Sequence, residues 1–152
     1  MTLPIVKTLD LPCAAARAFD IFVNATTSWW PGGHSVSAGA GAVPQAITIE
    51  PRVGGAVYET MHDGARADWG RVLDYQEGVR LAMTWHPGNN ADNPTRVEVA
   101  FADLPGGRSR VTLTHTGWEA WGDTADDRRQ GYDAGWDIVL GENFVPACAV
   151  AA

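Results

Sequence analysis

A carboxylate and an imidazole, the side chains that most often move protons, both fall on the apolar side of alternating runs. In Ser109–Gly117, SRVTLTHTG, one side carries Val111, Leu113 and His115, and the other carries Arg110, Thr112, Thr114 and Thr116. In Ala56–His62, AVYETMH, the side shared by Val57, Glu59 and Met61 includes a carboxylate. Such a group is costly to bury unless it is paired or hydrogen-bonded. Two uses are open to the pair. Glu59 and His115 could converge as an acid and a base, or hold the polar end of a ligand. Alternatively, His115 is a neutral core imidazole bonded to a neighbouring strand or an inward side chain, and Glu59 pairs with Arg71, Arg52 or a tyrosine.

Other reactive groups have no such setting. None of His34, His62, His86 and His115 lies two or four residues from another histidine, and Cys13 and Cys148 sit near opposite ends. No metal site or cofactor is expected from that spacing; free thiols are the default for both cysteines, with a bridge joining the termini as the alternative. No GxSxG elbow, P-loop or dinucleotide fingerprint is present. Seven tryptophans are the compositional anomaly. Trp29 and Trp30, followed by Pro31, stand where a cavity mouth would be, and Trp69, Trp85, Trp118, Trp121 and Trp136 could line its wall. Core packing is the competing role, weighing more on Trp85 and Trp136 than on Trp29 or Trp121.

With 152 residues and 45% apolar content, the chain suits a single domain, residues 1–152, with a real core. No apolar run is long enough to cross a membrane, and no secretory signal is visible. A cytoplasmic protein is expected. The net charge of −7, with no clustered Lys or Arg, argues against a nucleic-acid partner. Monomer and homodimer both stay open.

The elements that must position these groups follow from periodicity. Ile5–Leu11 reads as a strand with Ile5, Lys7 and Leu9 on one side, and Pro12 opens a helix that buries Ala15, Phe19, Phe22 and Val23. A Gly- and Ser-rich stretch from Ala25 reads as short helix plus loop. Strands are expected at Ala46–Glu50, Ala56–His62, Ala67–Tyr75, Arg80–Trp85, Thr95–Asp103 and Ser109–Gly117, with a bulge at Gly70. From Thr124 to Ala147 the spacing of Tyr132, Trp136, Val139 or Leu140, and Phe144 marks one helical face. Thr124 is the expected N-cap of that helix, and Asp126 and Asp127 fill its first turn.

Five segments in this order resemble one family: PRVGGAVYE (Pro51–Glu59), GRVLDY (Gly70–Tyr75), Arg80–Trp85, VTLTHTGW (Val111–Trp118) and GYDAGWDIVL (Gly131–Leu140). They are similar to the activator-of-heat-shock-protein-ninety-ATPase-homologue branch of the SRPBCC, or START-like (birch-pollen-allergen-like), superfamily. The resemblance implies an α+β helix-grip fold: a curved antiparallel sheet wrapped around a long C-terminal helix, with two short helices after the first strand. It also implies a cavity between sheet and helix. The first functional expectation is a binding module for a hydrophobic or aromatic small molecule, lined by Trp29, Trp30, Glu59, Met61, Trp69, Met83, Trp85, His115, Trp118, Tyr132 and Trp136. Tyr58 and Tyr132 are further candidates for holding a polar end of the ligand. The alternatives are a cyclase- or hydrolase-like enzyme using Glu59 and His115, and a chaperone-interaction domain.

Overall fold

The structure, a computed structural model, describes residues 2–89 and 91–150. Asn90, within the turn expected over 86–94, lies outside them. The expected strands form, with ends shifted by at most two residues: β1 (Ile5–Leu11), β2 (Ala46–Ile49), β3 (Ala56–Thr60), β4 (Arg66–Gln76), β5 (Arg80–Trp85), β6 (Thr95–Leu104) and β7 (Arg108–Thr116). They make one antiparallel sheet in the order β1-β7-β6-β5-β4-β3-β2. The short turns dictate the meander from β2 to β7, and β1 closes the far edge by pairing Ile5 with His115 and Leu11 with Ser109.

Between β1 and β2 come α1 (Ala15–Asn24), α2 (Thr26–Trp29) and a 3-10 turn over Ser37–Ala40. Helix α1 has no side-chain N-cap of its own. Asp103 on β6 instead accepts the Ala15 amide at 2.8 Å. The apolar face of α1 packs Phe19 and Phe22 edge-on to Phe101.

Gly70 marks the expected bulge. Val57 pairs with Gly70 but Tyr58 pairs with Asp68, so Trp69 is the extra residue. A Cβ on Gly70 would collide with the Thr84 carbonyl oxygen. Only glycine lets β4 and β5 approach this closely. The register shifts again between Val72 and Asp74, and two such irregularities in one strand bend the sheet around the helix. All three expected inward sets are buried: Leu81, Met83 and Trp85; Val97, Val99 and Phe101; Val111, Leu113 and His115.

The closing helix differs from an ideal amphipathic rod. It begins as a 3-10 stretch (Trp118–Thr124) kinked at Gly122, continues as α3 (Ala125–Trp136), widens into a π-helix (Asp137–Phe144) and ends in one turn, α4 (Val145–Cys148). Thr124 does not cap it: its hydroxyl donates backward to the Trp121 carbonyl at 2.9 Å, because the preceding 3-10 turn occupies the space an N-cap would need. The π stretch explains the burial. Trp136, Leu140, Phe144 and Cys148 repeat every four residues, and such a row drifts around an α-helix of 3.6 residues per turn. The wider i→i+5 turns rotate the row back, so all four stay buried, together with Val139. Lys7 reaches across from β1 to Asp133 at 2.9 Å and Asp137 at 3.0 Å, tying the exposed side of the helix to the sheet edge. Cys13 and Cys148 are free and buried. Burial, with the neighbouring Cys13 thiol second, raises the Cys148 thiol well above its usual value.

Candidate functional site

His115 is fully buried, and both ring nitrogens are engaged. The indole Nε1–H of Trp136 donates to Nδ1 at 3.0 Å. An indole can only donate, so Nδ1 holds the lone pair and Nε2 carries the proton. Nε2 then donates to Thr95 Oγ1 at 2.7 Å, and Thr95 passes its own proton to the Trp85 carbonyl at 2.9 Å. These three bonds run in one direction and join the closing helix to β7, β6 and β5. Trp118 stacks on the ring, with centroids 4.2 Å apart, and donates to the His115 carbonyl. Burial pushes the imidazole down to about 3. As placed, His115 is a neutral tautomeric clasp with no free lone pair.

Glu59 is equally buried and equally satisfied. Oε1 accepts the Val36 amide at 2.8 Å and the Trp69 indole at 3.2 Å; Oε2 accepts the Ser37 amide at 2.9 Å and its hydroxyl at 2.6 Å. The carboxylate anchors the long loop between α2 and β2 onto the sheet, and none of the expected partners Arg71, Arg52 or a tyrosine bonds to it. Glu59→Gln places an NH2 group against two of these donors, whichever oxygen it replaces. A buried donor left unpaired costs about 1–3 kcal/mol. Part of this is relieved by rotating the Ser37 hydroxyl, so the unfolding free energy measured in urea is expected to fall by about 2–4 kcal/mol. A loss within experimental error would remove Glu59 from the role of loop anchor.

A cavity of about 540 Å³ opens beside these two clasps rather than on them. The loop contributes Trp30 and residues 33–36, the end of β5 and its following turn contribute Trp85, Pro87 and Gly88, and the helix contributes Arg128, Tyr132, Gly135, Trp136 and Val139. The rings of Trp30, Trp85 and Trp136 form one wall, with centroids 5.4–6.1 Å apart. Trp30 Nε1 donates to the His34 carbonyl at 2.8 Å, which holds the imidazole of His34 over Gly135, where a Cβ would meet it at 3.6 Å. At the rim Arg128 lies over the Trp121 ring at 4.3 Å and donates to Asn89 Oδ1 at 3.1 Å.

Of the eleven residues expected to line a site, Trp30, Trp85, Tyr132 and Trp136 do so. Glu59 and His115 are closed off by their separate partners and are not brought together on this cavity. Trp29 packs against Phe22 and Phe144 and donates to the Ile21 carbonyl. Trp69 lies behind Trp30 and Trp85, Trp118 stacks on His115, Met83 is buried in the sheet core, and Met61 lies beyond the end of β3. Tyr58 faces outward under the Arg66 guanidinium, 3.9 Å above its ring. Core packing and cavity lining coincide in two of the tryptophans: Trp85 and Trp136 are buried in the core, as weighed, and also border the cavity, whereas Trp29 is core alone and Trp121 is only partly buried against the core. Sequence reasoning missed His34, Arg128 and the glycines of the loop and helix; the signal available for the glycines was their clustering on the helix face beside Tyr132 and Trp136. Among the described residues no group of three or more His, Cys, Asp or Glu gathers as for a metal ion, and no helix is long and apolar enough to cross a membrane.

Several solved structures share this architecture. Txn09, described as an anthrahydroquino-Gama-pyrone synthase complexed with SUM, is 28% identical with a TM-score of 0.60, covering 87% of this chain and 88% of its own. CalC, a self-sacrificing resistance protein from Micromonospora echinospora, is 21% identical with a TM-score of 0.71, covering 95% and 93%. Ms6760 from Mycobacterium smegmatis is 18% identical with a TM-score of 0.65, covering 99% and 93%. The latter two likenesses speak to the fold alone. No protein of curated function matches the chain. The family model described as Activator of Hsp90 ATPase homolog 1-like protein matches residues 12–145, and the chain belongs to that family, the branch of the SRPBCC superfamily that its five sequence segments resemble.

Proposed function

We propose that the protein is a small-molecule binding module that takes an apolar or aromatic ligand into the cavity between the 30–39 loop, β5 and the closing helix. The observation that carries this reading is the wall of Trp30, Trp85 and Trp136 around about 540 Å³ of space, interrupted by few polar groups. That size lies within the range of ligand sites, and burial of ligand surface against aromatic rings would supply most of the affinity. The likeness to Txn09, a synthase by its description, supports an aromatic ligand.

The same likeness favours a second reading, turnover of such a ligand. In this cavity the groups able to pass a proton are the imidazole of His34 and the phenol of Tyr132, not Glu59 and His115. A chaperone-binding role, suggested by the family description, is the third outcome.

The deciding experiment is native mass spectrometry of the protein purified from its source cells, followed by extraction under denaturing conditions. A stoichiometric small molecule supports the binding reading and identifies its chemistry. An empty protein whose tryptophan fluorescence is not quenched by any of a panel of aromatic ketones, lactones and esters counts against both small-molecule readings and leaves the chaperone role.

A further inference from the structure

One polar group in the cavity wall is left unpaired. Trp85 is 3% exposed, and its indole N–H makes no hydrogen bond. A buried donor in that state is costly. The ring cannot turn away to find a partner, because Trp30, Trp69 and Trp136 hold it with centroids 5.9, 5.5 and 5.4 Å away. Tyr132 borders the same cavity, its ring wedged against His115, Trp118 and Trp121. Burial raises the Tyr132 phenol above its usual value, while Arg128 and then the Trp85 N–H pull the other way. Both side chains border the same cavity, and there the indole N–H has no hydrogen-bond partner.

The directions of the protons then follow. An indole N–H can only donate, so an acceptor must answer it, and the oxygen of Tyr132 is one that the cavity wall itself supplies. The phenol proton must point elsewhere. It has no acceptor on His115, since Nδ1 is taken by Trp136 and Nε2 bears the proton given to Thr95. What remains on that side is the cavity, which Tyr132 lines. A pure hydrocarbon would leave both donors unanswered; an oxygen acceptor in the cavity takes the phenol proton and leaves the Tyr132 oxygen free to accept.

We infer that Tyr132 sets specificity, selecting a flat aromatic compound with a carbonyl oxygen, of the aryl ketone or quinone class, whose oxygen accepts the Tyr132 proton while the Trp85 N–H caps the phenol oxygen. This rests on the binding reading above. The test uses the full chain with two three-ring probes that differ by one carbonyl, 9-fluorenone and fluorene, titrated by tryptophan quenching. Fluorenone is expected to bind at least tenfold more tightly than fluorene. Tyr132→Phe, which keeps the ring packing, is expected to shrink that preference to within about twofold with fluorene affinity unchanged, in line with the loss of one hydrogen bond. In the wild type alone, the carbonyl stretch of bound fluorenone should move to lower wavenumber than in an apolar solvent, a readout that does not depend on the variant folding. Equal affinity for the two probes, or a preference that survives in Tyr132→Phe, overturns the inference and leaves the binding reading standing. Failure of the wild type to bind either probe overturns the inference, and the binding reading is then decided by native mass spectrometry of the source-purified protein.

Discussion

Trp136→Ala is expected to lower the unfolding free energy by about 3–5 kcal/mol, the range for truncating a buried large aromatic side chain. Trp136 is the side chain through which the closing helix grips the sheet. Its ring meets Trp30, Trp85 and His115, and its N–H supplies the acceptor nitrogen of His115 with its only partner. Truncation removes the ring contacts and strands the Nδ1 lone pair at once. Because one side of the ring already faces the cavity, the new space merges with existing space rather than forming a sealed void, which keeps the loss from exceeding the range. Urea unfolding followed by far-ultraviolet circular dichroism measures it. A loss well under 1 kcal/mol would mean that the helix is held by its Leu140–Phe144 end alone.

The second large effect is a loss of stability in acid centred on His115. The imidazole titrates near 3 in the folded protein and near 6.5 when unfolded. The folded value is the lower one, so the unfolded chain takes up the proton first. Stability is therefore complete above about pH 6.5 and falls as the pH drops from there toward 3, by about 1.4 kcal/mol per unit. Over the full interval the loss comes to about 4–5 kcal/mol, and roughly half of it is expected by pH 4.5. The cause is twofold: a charged ring in the core, and a proton on Nδ1 pointing straight at the Trp136 N–H. Exposed carboxylates with lowered values, Asp10 through Arg110 and Asp133 through Lys7, act below about pH 4, so the interval from about pH 6.5 to 4.5 reads His115 without them. His115→Gln should flatten the slope between pH 6.5 and 4.5. If that variant is too unstable to measure, nitrogen-15 shifts of the wild type should show His115 still neutral and protonated on Nε2 at pH 4.5. A ring that protonates near pH 6 would contradict the clasp. The two predictions are linked, since Trp136→Ala removes the donor facing Nδ1 and should weaken the acid dependence as well.

Both effects concern a residue that strand alternation alone placed correctly. The run 111–117 puts His115 beside Leu113 on the buried side, and β7 does so. The same rule turned Glu59 inward on β3. What these side chains do there was not legible. Glu59 answers Val36 and Ser37, residues 23 and 22 positions upstream in a loop without periodicity. His115 answers Thr95 and Trp136 on two other elements. Hydrogen-bond partners are set by how separate segments dock, and the spacing within a strand carries no record of it.

The division between chain and tertiary structure follows the range of the interactions. Alternation, turn residues and the helical face are local, each spanning a few residues, and they suffice for seven strands, the Gly70 bulge and the order of elements; the family came instead from the resemblance of five segments. Tertiary packing decided the rest. It chose both Val139 and Leu140 for the core by opening a π turn, denied Thr124 its cap, spent the inward acid and imidazole on internal bonds, and set the buried rings of Trp85 and Trp136 against a cavity. Those outcomes depend on how tightly a bent sheet closes on a helix, a quantity to which residues more than a hundred positions apart contribute together.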